Sequence, residues 1–148
     1  MIKYSCFSFK ELPKKKLYEI LQLRSKVFVL EQKCLYQDMD DLDQKAYHIL
    51  AENKERIVGY SRIIKKGEYY SEFSSIGRVL VDESERKNRV GNGVVEFSVK
   101  MIKKIFTNEP IKISAQSYLI KFYENHGFLY KGEDYLEDGI PHSAMFLY

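Results

Sequence analysis

Alternation of apolar and polar residues along the chain predicts a protein rich in β-strands. Strands with one buried face alternate with a period of two, and they favour β-branched and aromatic side chains. Seven segments have this character: residues 2–9, 46–52, 56–64, 76–81, 111–116, 130–136 and 142–148. The turn residues at 53–55 and Asp138-Gly139 are suited to connect strands 46–52 with 56–64 and 130–136 with 142–148.

Apolar residues recur at helical spacing in three other segments. A first helix is expected after Pro13, because proline suits the first turn of a helix, and its apolar stripe runs from residue 17 to residue 28. Further helices are expected over residues 90–106 and 119–126, with Gly127 placed to end the last one. This mixture of strands and helices predicts an α/β or α+β sandwich.

Two charged residues, Arg24 and Glu31, continue the apolar stripe of the first helix. A charge that faces the core costs free energy unless it is paired. Two helical turns, about 10 Å, separate the two residues, so they cannot easily bond each other. We therefore expect Arg24 to have a structural partner elsewhere and Glu31 to face a cavity. The alternative is that both side chains reach water.

The most informative stretch is residues 76–93, in which a strand, a short polar loop and a helix follow one another. The loop carries Arg86, Lys87, Arg89 and Gly91. Free N–H groups at the start of the helix, together with these basic side chains, suit a phosphate group. An ordinary turn with solvated charges is the alternative, because short glycine motifs are weak signals.

The composition limits the kinds of protein to which this chain can belong. A chain of 148 residues with 45% hydrophobic residues is expected to form one globular domain, residues 1–148. Its net charge of +3 is too small to indicate nucleic acid binding by itself. Cys6 and Cys34 form no disulfide framework and lack metal-ligand spacing, so we expect a reducing, cytoplasmic setting. We expect no signal peptide and no membrane span.

Residues 32–45 form an acidic loop that contains Asp38, Asp40, Asp41 and Asp43. The loop lacks the glycine and the closing glutamate of a calcium-binding loop, so we expect no metal there. Two interpretations stay open for it, namely attraction of a cationic amine and simple solvation.

Four segments together resemble the GNAT (GCN5-related) N-acetyltransferases, and in particular the ElaA-like subgroup. Residues 86–91, Arg-Lys-Asn-Arg-Val-Gly, are similar to the family's pyrophosphate loop, with Arg89 where the first glycine is usual. Residues 122–128, Phe-Tyr-Glu-Asn-His-Gly-Phe, match the family's Phe-Tyr-x-x-x-Gly-Phe. The ElaA-like segments are 28–32 and 137–142, and the resemblance covers nearly the whole chain.

The resemblance implies a three-layer α/β/α fold, in which about four helices flank a mostly antiparallel, mixed sheet of seven strands. It also implies acetyl transfer from acetyl-CoA, without a metal, to a primary amine of a small molecule or peptide. Tyr123 matches the tyrosine that protonates the leaving thiolate, and Gln116 matches a residue that contacts the cofactor. The other implied cofactor-binding residues are Val79, Leu80 and Val81 for the pantetheine arm and Arg86, Lys87, Asn88, Arg89, Val90, Gly91 and Asn92 for the pyrophosphate.

The general base and the acceptor site are less defined. Glu31 is the first candidate for the base because its helical face points inward, and Asp138 and His142 are the alternatives. Arg62 and Arg78 either line the acceptor site or pair across strands. By its place on the apolar stripe alone, Tyr123 would be a core aromatic residue, and His48 on its alternating strand is expected to be a core histidine.

Two other functions stay open at this point. One is an acyl-CoA-binding module without catalysis. The other is nucleic acid binding through Lys14–Lys16 and the loop at 86–89, which we do not expect, because no aromatic residues are interleaved with the basic ones. Dimers are common among GNAT proteins, so the resemblance allows a homodimer.

Overall fold

The computed structural model describes residues 1–107 and 109–148, which contain one seven-stranded sheet in the order β1-β2-β3-β4-β5-β7-β6. β4 and β5 are parallel, and the other neighbouring strands of this sheet are antiparallel. The strands are β1 (Ile2–Ser8), β2 (Tyr47–Asn53), β3 (Arg56–Ile64), β4 (Ser74–Val81), β5 (Ile111–Gln116), β6 (Leu129–Glu137) and β7 (Ile140–Leu147). The predicted mixed, mostly antiparallel sheet is confirmed.

Three α-helices are present in the described chain, fewer than the four or so that the resemblance implied: α1 (Lys14–Arg24), α2 (Val90–Ile105) and α3 (Ile120–Glu124). α1 continues into a π-helical segment, Ser25–Glu31, where the helix was expected to remain regular. α3 is shorter than predicted, because Ser117–Leu119 form a 3-10 turn before it. Gly127 has a φ of +91°, the left-handed conformation expected of a residue that ends a helix. No helix in the described ranges is long and apolar enough to cross a membrane.

The two faces of the sheet carry different helices, which gives the predicted three layers. Successive residues of β2 show this, because Ile49 packs in a cluster with α2 and Leu50 packs in a cluster with α1. α3 joins the α2 side through Tyr123, which lies in the same cluster as Ile113 and Met145. The buried apolar side chains therefore form cores on both sides of the sheet. A second, smaller cluster of Ala51, Val58, Val90 and Val94 lies on the α2 side.

The start of α2 lies unusually close to β3, and Gly59 makes this approach possible. A Cβ atom at Gly59 would lie 2.8 Å from Cγ1 of Val90 and 3.1 Å from both Cβ of Ala51 and Cγ2 of Val94. These three neighbours are themselves buried, so none can move aside easily. The glycine thus fixes where the first turn of α2 sits against the sheet.

We expect Gly59→Ala to lower the free energy of unfolding by about 1–3 kcal/mol, the usual cost of overpacking a core. Gly77→Ala is the matched control, because a Cβ at Gly77 meets no atom within 4 Å. Chemical denaturation of both variants checks the prediction. A Gly59→Ala protein as stable as Gly77→Ala would show that α2 is not held by this contact.

Candidate active site

The parallel strands β4 and β5 separate soon after they meet. They pair only at Ser74 with Ile111 and at Ser75 with Lys112. Beyond these positions the gap between the strands opens into a cleft of about 600 Å³. Its lining includes residues 77–81 of β4, residues 113–116 of β5, parts of the π-helical segment and α3, and the β6–β7 turn.

The edge of β4 that faces this gap offers backbone groups to a ligand. The N–H of Asp82 donates to the carbonyl of Val58, so alternation along an antiparallel pair turns the backbone groups of Leu80 toward β3. The groups of Val79 and Val81 then face the cleft. No strand pairs with this edge beyond Ser75 in the described chain. Of the three predicted pantetheine-binding residues, Val79 and Val81 are placed to use their backbone amides.

A β-bulge at Arg78 bends β4 at the point where the gap opens. Tyr60 pairs with Leu80 and Arg62 pairs with Gly77, so Ser61 alone faces two residues of β4. Arg78 has a φ of +51°, a left-handed conformation that costs a non-glycine residue about 1–2 kcal/mol. Such strain persists only where surrounding contacts impose it.

The contacts that impose it come from a cluster of six alternating charges, which we call the Arg–Asp cluster: Arg24, Arg62, Arg78, Asp38, Asp40 and Asp43. Arg78 donates from Nε to Oδ1 of Asp38 and from Nη2 to the Asp38 carbonyl, each at 2.8 Å. Arg24, which is fully buried, donates to Asp38 and Asp43 at 2.7 Å. Arg62 completes the set with Asp40 at 2.5 Å and Asp43 at 3.0 Å.

Opposite charges in this cluster outweigh the effect of burial on Asp40 and Arg24. Burial would raise the pKa of Asp40, but hydrogen bonds and the charge of Arg62 outweigh it and lower the pKa to about 2. Burial would likewise lower the pKa of Arg24, and the surrounding Tyr60, Asp43 and Asp38 raise it instead. The three positive and three negative charges therefore balance inside the protein.

The Arg–Asp cluster settles several predictions. The structural pairing of Arg24 is confirmed, and the solvated or amine-attracting acidic loop is wrong for Asp38, Asp40 and Asp43, whose carboxylates are taken by arginines. Arg62 and Arg78 line the cleft with their charges already paired. The interpretation of His48 as a core histidine is confirmed, since it is buried and bonds the Tyr60 hydroxyl and the Asp43 carbonyl.

The first turn of α2 lies at the outer end of the cleft. Arg89 precedes it in the left-handed conformation, and no side chain of the described residues caps the helix. The first N–H groups of an α-helix have no partner within the helix, so they stay available to an anion. Val90 is buried against β3 and can offer only its backbone, whereas Gly91 lines the cleft.

The remaining loop residues have different surroundings. Lys87 and Arg89 are exposed at the start of α2. Asn88 donates to Glu85 at 3.0 Å, and Asn92 lies 3.1 Å from Nε2 of His126. The side-chain amides of Asn88 and Asn92 therefore bond other protein groups and hold the loop and the first turn of α2 in place.

Glu31 lines the cleft, as expected, and it contacts Arg86, which the sequence predicted as a phosphate ligand. Nη2 of Arg86 donates to Oε1 of Glu31 at 2.6 Å, while Nε of Arg86 donates to the Val81 carbonyl at 3.0 Å. The candidate base and the candidate phosphate ligand are thus bonded to each other. Next to them, Gln116 of β5 donates to Gln32 at 3.2 Å and joins the two walls.

Tyr123 of α3 is both a core residue and a cleft residue. Its side chain is 6% exposed and contacts the rings of Phe122 and Phe128 edge-on. Burial raises the pKa of its phenol, and the neighbouring Tyr118 adds to this shift. The hydroxyl therefore keeps its proton well above neutral pH, as a proton donor requires.

The β6–β7 turn brings further polar groups to the cleft. Asp138 has a φ of +51° and Gly139 of +77°, so both turn residues adopt the positive φ values of a tight hairpin. Asp138 and His142 line the cleft, as expected. Sequence reasoning missed Glu137 as a candidate, although its alternation with residue 135 in β6 placed it on the same face as His142.

No group of three or more His, Cys, Asp or Glu side chains in residues 1–107 and 109–148 is arranged to hold a metal ion. The carboxylates of residues 32–45 that looked most like metal ligands, Asp38, Asp40 and Asp43, bind arginine side chains instead.

Comparisons with known proteins agree with this geometry. A family model described as an acetyltransferase (GNAT) domain matches residues 12–148. The protein ElaA of Escherichia coli is 39% identical over 147 residues, which cover 98% of this chain and 95% of ElaA. A UPF0039 protein of Schizosaccharomyces pombe is 38% identical over 139 residues, covering 93% of this chain and 91% of that protein.

Two crystal structures share the whole architecture. That of Escherichia coli ElaA superposes with a TM-score of 0.93 at 37% identity and covers 100% of both chains. That of an acyl-CoA N-acyltransferase from Pseudomonas aeruginosa gives a TM-score of 0.92 at 33% identity and covers 99% of both. With a family model over most of its length and relatives well above 30% identity, this ElaA homologue belongs to the GNAT family of acyl-CoA N-acyltransferases.

Proposed function

We propose that this protein transfers an acetyl group from acetyl-CoA directly to a primary amine of a small molecule or peptide. The observation that carries the proposal is the open edge of β4, which leads from the closed end of the cleft to the uncapped start of α2. An extended ligand with amides along its length and a phosphate at its end fits such a groove.

The chemical groups along this groove indicate how the coenzyme would lie in it. Its pyrophosphate would take the free N–H groups at Val90, Gly91 and Asn92, with positive charge from Arg86, Lys87 and Arg89. Its pantetheine amides would pair with Val79 and Val81. Gln116, at the end of β5, would contact the coenzyme from the opposite wall.

The chemical step needs a donor for the leaving thiolate, and Tyr123 is the group we assign to it. When the C–N bond forms and the C–S bond breaks, the sulfur takes the phenolic proton. Low solvent access at Tyr123 keeps the proton on the phenol until negative charge develops on the sulfur. We assign Arg62, Arg78, Asp138 and His142 to the acceptor side, where they form part of the wall that the amine meets. Glu31 stays a predicted base and acceptor residue, although its bond to Arg86 places it toward the phosphate end of the cleft.

The first test concerns the coenzyme. Acetyl-CoA should raise the melting temperature, since a ligand at a hundredfold excess over its Kd stabilises the folded state by about 2.7 kcal/mol. Arg86→Ala should weaken this effect, and Lys104→Ala, which removes a positive charge from an exposed site near the other end of α2, should not. Differential scanning fluorimetry measures both. No shift at millimolar acetyl-CoA in the wild-type protein would contradict the assignment.

The second test concerns Tyr123. Tyr123→Phe should lower the rate of thiol release in a single turnover by about 10²–10⁴-fold, the usual contribution of a placed proton donor. Acetyl-CoA affinity should change far less, because the hydroxyl acts on charge that develops during transfer.

The control for this test is Tyr18→Phe, which removes the hydroxyl of a residue of α1 that is 72% exposed and lies outside the cleft. A Tyr123→Phe enzyme with the rate of the control would leave water as the proton source. Bound acetyl-CoA without thiol release in the wild-type protein would instead favour a non-catalytic binding module.

A further inference from the structure

A group of polar side chains lies on the face of the sheet opposite α3, at the closed end of the cleft. Register shows that the group shares one face, because His142 is opposite both Gln116 of β5 and Tyr135 of β6. Ser114 and Glu137 lie two residues from these partners along their strands, and so on the same side. We call Ser114, Tyr135, Glu137 and His142 the hairpin cluster.

The hydrogen bonds of the hairpin cluster fix the tautomer of His142. Its Nδ1 lies 2.8 Å from the carbonyl of Ile140, which can only accept, so Nδ1 carries the hydrogen. In the neutral ring, Nε2 then holds a lone pair. Nε2 lies 3.5 Å from Oε2 of Glu137, and the ring of Tyr135 stacks on the imidazole at 20° between planes.

The carboxylate of Glu137 is held as well. Its Oε1 accepts from Ser114 at 3.2 Å, and the same serine hydroxyl lies 2.5 Å from the Tyr135 hydroxyl. Glu137 has no lysine or arginine partner among the residues that the structure describes, and its side chain is 44% exposed. It is thus a positioned carboxylate whose charge no fixed cation neutralises, beside a histidine with one free nitrogen.

The place of the hairpin cluster distinguishes it from Glu31. Ser114 comes two residues after Lys112, the last residue of β5 that pairs with β4. The cluster therefore adjoins the narrow end of the gap, whereas Glu31 is bonded to Arg86 beside Val81, at the outer end. If the phosphates lie at the outer end, as the proposed function holds, the acyl group reaches the narrow end.

The geometry points to the Glu137–His142 pair as the proton acceptor for the amine, with Glu137 attracting the ammonium group and orienting the imidazolium that forms. This inference rests on the proposed function. The ammonium proton passes to Nε2 of His142 and then to solvent. The freed lone pair forms the C–N bond, and the C–S bond breaks. The same nitrogen then loses a second proton, which replaces on Tyr123 the proton that the phenol gives to the sulfur. Each turnover therefore releases one proton to solvent.

The test is the pH profile of kcat/KM for acetyl transfer to benzylamine, followed by thiol release at saturating acetyl-CoA. His142→Gln should lower kcat/KM by about 10²–10⁴-fold. It should also remove the acidic limb of the profile, which is the fall in kcat/KM toward low pH that His142 contributes. Glu137→Gln should also lower kcat/KM, because a neutral amide replaces the carboxylate that attracts the ammonium group and orients the imidazole ring. The other titratable groups that face the pair are Tyr135, Tyr69, Tyr70 and Asp138, and all stay in place in both variants.

One control variant separates this role from general effects of charge. Glu133→Gln removes a carboxylate from the same strand that lies 3.9 Å from Lys112, outside the cleft, and should leave the profile unchanged. Glu31→Gln tests the other candidate base, and its profile should keep the acidic limb if the Glu137–His142 pair accepts the proton. Because the amine is the same throughout, its own ionisation is common to all profiles.

The outcomes are distinct. An acidic limb that persists in His142→Gln, a Glu137→Gln enzyme with wild-type kcat/KM, or a limb that disappears only in Glu31→Gln overturns the inference and leaves the proposed function standing. Acetyl-CoA that binds to the wild-type protein without thiol release to benzylamine or to any other primary amine, whether of a small molecule or of a peptide, overturns both. A melting-temperature shift with acetyl-CoA in each variant shows that a loss of rate is not a loss of folding.

Discussion

The structure depends most on the balanced charges of the Arg–Asp cluster. Arg24 is fully buried, and a buried charge that loses one partner typically costs about 3–5 kcal/mol. Its partners Asp38 and Asp43 belong to the loop after the π-helical segment, and Asp38 also holds the strained Arg78. One network therefore fixes the loop, the bulge and the bend of β4 that opens the cleft. The paired charges of this network hold one wall of the cleft.

Much of the fold could be predicted because it follows local patterns. Alternation located β3 over residues 56–64, and the Phe-Tyr-x-x-x-Gly-Phe segment located Tyr123 and the left-handed Gly127. The Arg–Asp cluster could not be predicted in the same way, since its pairs join residues 14 to 40 positions apart and no periodicity links them. The π-helical segment was missed because its apolar residues are also compatible with a regular α-helix. Glu137 was missed because it was considered only as part of a motif, and not by the face it shares with His142.

The two ends of the cleft have different electrostatic character, and this explains how one groove can serve two substrates. The outer end combines free helix N–H groups with Arg86, Lys87 and Arg89, which suits phosphate. The inner end adjoins the uncompensated carboxylate of Glu137, which suits a cation. Between them, the charges of Arg62 and Arg78 are neutralised by Asp38, Asp40 and Asp43, so they add little net field. Glu31 is bonded to Arg86 at the outer end, so under the proposed assignment an incoming phosphate would have to displace the carboxylate from the arginine.

We expect the β4 edge to be open in the free protein and to be closed by the coenzyme. Amide hydrogen exchange, followed by NMR with and without acetyl-CoA, measures this change residue by residue. The N–H groups of Val79 and Val81 should exchange rapidly in the free protein and become protected in the complex, while Leu80, turned toward β3, is protected in both. Complete protection of Val79 and Val81 without ligand would show that the edge is closed in the free protein. Protection that does not change when acetyl-CoA binds would show that the coenzyme does not pair with this edge.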